Sequence, residues 1–150
     1  MRPSPFIVLA AAAALAIPVS ARAQAELPCA SYATFEKNGG SMQLIGLAVG
    51  DVPAGAKVTL SCTGTNCPFA SKSITMGNDV KILALTDMFR DPNFMPGTIL
   101  ELRVTKPHWI GKLFRYEILS PNAEPKSTTQ CLSAEDGKPT VCLRQVQNRQ

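Results

Sequence analysis

The stretch Thr98-Ile99-Leu100-Glu101-Leu102-Arg103-Val104-Thr105 decides the fold. Leu100, Leu102 and Val104 fall on one side of an extended chain, and Ile99, Glu101 and Arg103 on the other. A period of two marks a half-buried strand. Upstream, Val58, Leu60 and Cys62 alternate strictly with Lys57, Thr59 and Ser61. Downstream, Phe114, Tyr116 and Ile118 read as inward, with Arg115 and Glu117 outward. Three such segments in one chain point to a layered all-β protein.

Turn chemistry separates these strands from others. Gly39-Gly40 leads into an apolar strand from Met42 to Val49, and Asp51-Val52-Pro53-Ala54-Gly55 reverses the chain. Lys72 to Met76 reads as a strand with Ile74 and Met76 inward, and Gly77-Asn78-Asp79 turns it toward Val80 and Ile82. Leu85, Met88 and Phe89 stand at helical spacing, so Leu83 to Phe89 is read as a short helical crossover between sheets. Pro92 and Pro96-Gly97 close it. The expectation is one immunoglobulin-like β-sandwich over residues 41–120, preceded by an N-terminal segment over 24–40. Residues 121–150 read as a linker, a disulfide-clamped hairpin and a polar tail. A closed barrel is the competing all-β layout, which periodicity alone does not separate from a sandwich.

The first residues read as an export signal. Arg2 precedes an unbroken apolar run from Phe6 to Ile17, Pro18 stops it, and Ala21-Arg22-Ala23 offers the small-x-small pattern of signal cleavage before Gln24. Cleavage after Ala25 is the alternative. The run is too short for a transmembrane helix, and no second apolar stretch is long enough to span a bilayer. The mature chain is therefore expected in the periplasm or outside the cell, with no transmembrane segment.

Composition narrows the partners. The 150 residues carry a net charge of +4, which falls to +2 without Arg2 and Arg22. Basic residues are scattered among acidic ones, without the concentrated stripe of a nucleic-acid binder. An unknown envelope or extracellular protein, or a glycan, is the expected partner.

Five cysteines stand in the exported part, where disulfides are the default. Cys62 and Cys67 enclose the turn-forming Thr63-Gly64-Thr65-Asn66. Cys131 and Cys142 enclose Asp136-Gly137, a dipeptide favoured in hairpin turns. Locality therefore pairs Cys62 with Cys67 and Cys131 with Cys142. Loop closure is worth about 2 kcal/mol for the shorter loop and about 3 kcal/mol for the longer. Cys29 is left over: free, buried, or joined to another molecule. A zinc site is the sharper alternative for the same four thiols. The ten residues between Cys131 and Cys142 lie far from knuckle spacing, and export favours oxidation, so no metal or cofactor is expected.

Catalytic patterns are equally sparse. His108 is the lone imidazole, in the inter-strand turn Lys106-Pro107-His108-Trp109-Ile110-Gly111. No Gly-x-Ser-x-Gly elbow offers it a nucleophile, and no phosphate-cradling loop or Asp-x-Asp-x-Asp-Gly calcium loop occurs. Trp109, beside Lys106, His108 and Lys112, is the candidate binding loop: an exposed indole there would grip a sugar ring or anchor a protein. Folding back over the sandwich's open end is the alternative for Trp109. Arg103, Arg115 and Lys112 read as a solvated sheet face.

Four segments recur in a set order: Pro53-Ala54-Gly55-Ala56-x-Val58, Cys62-x-Gly64-x-x-Cys67-Pro68-Phe69, Pro96-Gly97-Thr98-x-Leu100-Glu101-Leu102-Arg103-Val104-Thr105, and Ile110-Gly111-Lys112-x-x-Arg115-Tyr116. With the trailing Cys131 and Cys142, residues 41 to 142 resemble a small β-rich module of secreted and surface proteins of bacteria, actinobacteria especially. The resemblance implies an extracytoplasmic sandwich-like unit, and carries no assigned activity and no catalytic residues. The expected role is thus a non-catalytic exported module, binding or structural. The alternative is a secreted inhibitor or effector acting through a disulfide-rigidified loop.

Overall fold

A computed structural model describes residues 24–90 and 92–143. The segment expected to be the leader, including Ala21 and Ala23, lies outside the described residues, as does the polar tail from residue 144. Gln24 is the first residue described.

The described residues form two antiparallel sheets and no barrel. In the smaller sheet β2 (Ser41–Val52) lies between β1 (Ala30–Asn38) and β5 (Val80–Ala84), and the two-residue β6 (Asn93–Phe94) also pairs with it. The larger sheet contains β3 (Lys57–Thr63), β4 (Ser71–Thr75), β7 (Ile99–Thr105), β8 (Gly111–Glu117), β9 (Lys126–Leu132) and β10 (Pro139–Thr140). Its spatial order is β10-β9-β8-β7-β3-β4.

The alternating segments form the centre of this larger sheet. Val58, Leu60 and Cys62 on β3 lie opposite Val104, Leu102 and Leu100 on β7. Leu102 and Leu100 in turn face Phe114 and Tyr116 on β8. All of these are buried, and they share one core with Met42, Leu44, Leu47 and Val49 of β2. The arrangement is sandwich-like: apolar faces of two sheets close on each other, as alternation requires when one face of each strand is buried.

On β2 the inward residues Met42 and Leu44 are followed by Leu47 and Val49, a break in the period of two. A bulge absorbs it: Thr34 pairs with Gly46 and Phe35 with Leu44, leaving Ile45 as the extra residue. The stretch Leu83 to Phe89 contains a 3-10 turn at Thr86–Met88, with Leu85 and Phe89 buried on either side. Thr86 fixes it to β2, its Oγ1 accepting from the Leu47 amide at 2.8 Å.

Strands β1 and β9 lie outside the expected 41–120 sandwich. β1 falls within the N-terminal segment, and most of β9 within the stretch joining the sandwich to the hairpin. The N-terminal residues are also tied in. Ala25 accepts from the Ile110 amide and Leu27 donates to the Ile110 carbonyl, both at 2.9 Å, which makes Glu26 a parallel bridge partner of Ile110. Leu27 and Cys29 are buried in the common core.

Close packing fixes two glycines. A Cβ on Gly111 would stand 2.7 Å from the Val104 carbonyl oxygen, and one on Gly64 2.9 Å from the Thr98 Cα. Gly64 also has a φ of 139°, which L side chains rarely adopt.

Candidate binding cleft around Trp109

The inter-strand turn between β7 and β8 is built from Lys106, Pro107, His108 and Trp109. The Trp109 amide donates to the Lys106 carbonyl at 3.1 Å, and His108 sits at a φ of 66°. Proline second and a left-handed residue third is the type II turn pattern. The turn holds Trp109 half-buried against the core, with the Lys106 ammonium 5.1 Å from its ring centroid. That contact is a cation–π interaction at the protein surface.

Residues of neighbouring segments meet this turn around a cleft of about 410 Å³. Thr105 and Lys57 come from neighbouring strands, Gly55 from the turn before β3, and Ser133, Ala134 and Gly137 from the segment between β9 and β10. Gly55 donates to the Met76 carbonyl at 2.8 Å, which anchors its turn to the chain after β4. On the opposite wall Arg103 Nη1 donates to the Gly137 carbonyl at 3.2 Å. The Cys131–Cys142 disulfide, with a Cα separation of 4.9 Å, clamps the base of that wall. Asp136 caps the turn there; its carboxyl is held below the usual range, chiefly by the hydrogen bond from the Lys138 amide.

The lining contains two ammonium groups, two hydroxyls and an indole, and no carboxylate. Such a surface stacks a ring and attracts an anion. The size lies within the range of small-molecule sites.

Of the four residues of the candidate loop, the structure brings only Lys106 and Trp109 to the cleft. His108 is exposed on the turn and outside the lining. Lys112 goes elsewhere. It pairs with Cys131 in register, on the inward side of β8 with Phe114 and Tyr116, and forms an ion pair with Glu26. Both side chains are only 12% exposed. Lys112 therefore departs from the solvated face, where Arg115 pairs with Glu101 at 3.1 Å. The alternation places Lys112 two residues before Phe114, a signal of its inward position that its charge obscured.

The remaining walls, Gly55, Lys57, Ser133, Ala134 and Gly137, had no sequence signal for this cleft. Only the folded topology joins them to Trp109. The disulfides pair as locality predicts, Cys62 with Cys67 and Cys131 with Cys142, and leave Cys29 as a buried free thiol. Burial pushes the Cys29 thiol up to about 11. Its Sγ donates to the Asp51 carbonyl at 3.4 Å.

No protein-family model, curated protein or solved structure matches the chain. The two disulfides fit an oxidising environment. Among the described residues, no helix is long and apolar enough to cross a membrane.

Proposed function

We propose that this chain is an exported, non-catalytic binding module, an immunoglobulin-like sandwich of the small secreted and surface type that its motifs resemble. It works in the periplasm or outside the cell, and its ligand is a carboxylate-bearing saccharide held at the Trp109 cleft. The observation that carries this reading is the lining: Lys57 and Lys106 beside an indole, with the hydroxyls of Thr105 and Ser133 and no opposing carboxylate. A sugar ring stacks on apolar surface while its carboxylate takes a charge-assisted hydrogen bond from an ammonium. His108 and the thiol of Cys29 both stand outside the lining, so neither is placed to act on a molecule bound there.

Trp109 is the sole tryptophan, so its fluorescence reports on this cleft alone. The test is a titration with carboxylated and neutral oligosaccharides of matched length. The carboxylated series is expected to shift the emission saturably, and Lys106→Ala to abolish the shift. Equal responses to both series, or none to either, would overturn the saccharide assignment.

A further inference from the structure

We propose that, once Cys131–Cys142 is reduced, its two sulfurs and the Glu26 carboxylate form a three-donor site for a divalent cation of the zinc class. The inference rests on residues other than those of the saccharide reading and is independent of it.

A carboxylate oxygen of Glu26 and the sulfurs of Cys131 and Cys142 all lie within 4.8 Å of one another. Donors around a tetrahedral zinc stand roughly 3.3–3.8 Å apart, given Zn–S and Zn–O bonds of about 2.3 and 2.1 Å. Parting the bonded sulfurs and drawing the carboxylate in by about an ångström meets that geometry. Glu26 is held in place by the bridge to Ile110, and the Cys131 backbone by its register with Lys112.

A second observation points the same way. Glu26 Oε1 accepts from the Lys112 ammonium, whereas Oε2 is buried with no hydrogen-bond partner. Buried carboxylate oxygens are normally satisfied, so this atom retains acceptor capacity that a cation would use.

Charge balances in both states. With the disulfide closed, Glu26 and Lys112 neutralise each other. In the loaded state two thiolates and Glu26 carry three negative charges, against two positive on the ion and one on Lys112. The buried cluster is neutral each time, which avoids the cost of an unpaired buried charge.

The chemistry needs a reductant, and a thiol oxidoreductase or other dithiol supplies it. Two electrons and two protons break the S–S bond and give two thiols, while the reductant becomes a disulfide. The ion then displaces both thiol protons to solvent. Thiolate ligands select zinc over calcium or magnesium, which prefer all-oxygen sites. Entry is through the C-terminal arm, where β10 has only two residues and Val141 after it is exposed.

The wide spacing of the two cysteines hides this site in the sequence. The test is an anaerobic titration of the phosphine-reduced protein with Co²⁺, followed by Zn²⁺. One Co²⁺ per chain should bind with a sulfur-to-cobalt absorption band and the intense visible bands of four-coordinate cobalt, and Zn²⁺ should bleach them. The Cys131→Ser/Cys142→Ser double variant should abolish the sulfur band, Cys62→Ser should keep it, and Glu26→Gln should lower the affinity. In the phosphine-reduced wild-type chain, Zn²⁺ should shield Cys131 and Cys142 from alkylation while Cys62 and Cys67 still react. The proposal falls if no sulfur band forms, if the band survives the Cys131→Ser/Cys142→Ser double substitution, or if zinc leaves labelling of Cys131 and Cys142 unchanged. It falls equally if a folded Glu26→Gln protein binds with unaltered affinity.

Discussion

The Tyr116 hydroxyl on β8 donates a 2.7 Å hydrogen bond to Ser31 Oγ on β1, joining one sheet to the other through side chains. Phe35, further along β1, lies 6.0 Å from the Tyr116 ring, so polar and aromatic contacts act on the same seam. Tyr116→Phe keeps the ring contact and removes the bond. It should cost about 1 kcal/mol, the net worth of a typical intramolecular hydrogen bond. Urea denaturation of both proteins reads the difference, and equal midpoints would show that the bond contributes nothing in solution.

Leu102 is fully buried at the centre of the larger sheet, between Leu60 on β3 and Phe114 on β7's other neighbour, β8. Strands on both sides leave the site little room to collapse. Leu102→Ala should therefore cost about 2–5 kcal/mol. Leu119→Ala, at an exposed leucine, should cost far less under the same denaturant. Equal losses would contradict the assignment of faces.

The same contrast explains what the sequence made legible. Strands β3, β7 and β8 carry large apolar residues on one face, so their alternation stands out. On β1 the inward series is Ser31, Ala33 and Phe35, and on β9 the residues in register with Tyr116, Phe114 and Lys112 are the exposed Ser127 and Thr129 and the buried Cys131. Small and hydroxyl side chains give these two strands little periodic contrast, and tertiary pairing decides their structure. Half of the candidate loop was legible for a similar reason. Lys106 and Trp109 are adjacent to one turn, whereas the far wall arrives from a segment clamped by Cys131–Cys142. Glu26 had no signal at all, because its partner Lys112 lies across the fold.

Cys29 predicts a response to alkali. Its thiol ionises in the unfolded chain near the ordinary value of 9.0, and in the folded protein only near 11. Between these values the unfolded chain binds fewer protons than the folded one, so stability falls as pH rises. The contribution is complete below pH 9 and is lost progressively up to 11. Burial also raises the Tyr116 phenol, which adds to the loss in the same direction. Thermal melts from pH 8 to 11 should show a declining midpoint, less steep in Cys29→Ala. A slope unaffected by that substitution would mean that the thiol is not desolvated in solution.

Lys112 and Glu26 form the one ion pair of the described residues in which both side chains are this deeply enclosed. Removing one member of such a pair strands the other charge, at a cost of about 3–5 kcal/mol. Lys112→Met should show that loss in a denaturant melt at neutral pH, since it leaves both Glu26 oxygens unpartnered. Adding Glu26→Gln to the same chain should recover much of it, because an uncharged amide is cheaper to bury than a carboxylate. Lys81→Met, which breaks the exposed pair with Asp51, should change stability by less than about 1 kcal/mol. If the Lys112 and Lys81 variants melt alike, the N-terminal residues bridged to Ile110 do not hold Glu26 against β8 in solution, and the three-donor site loses its carboxylate.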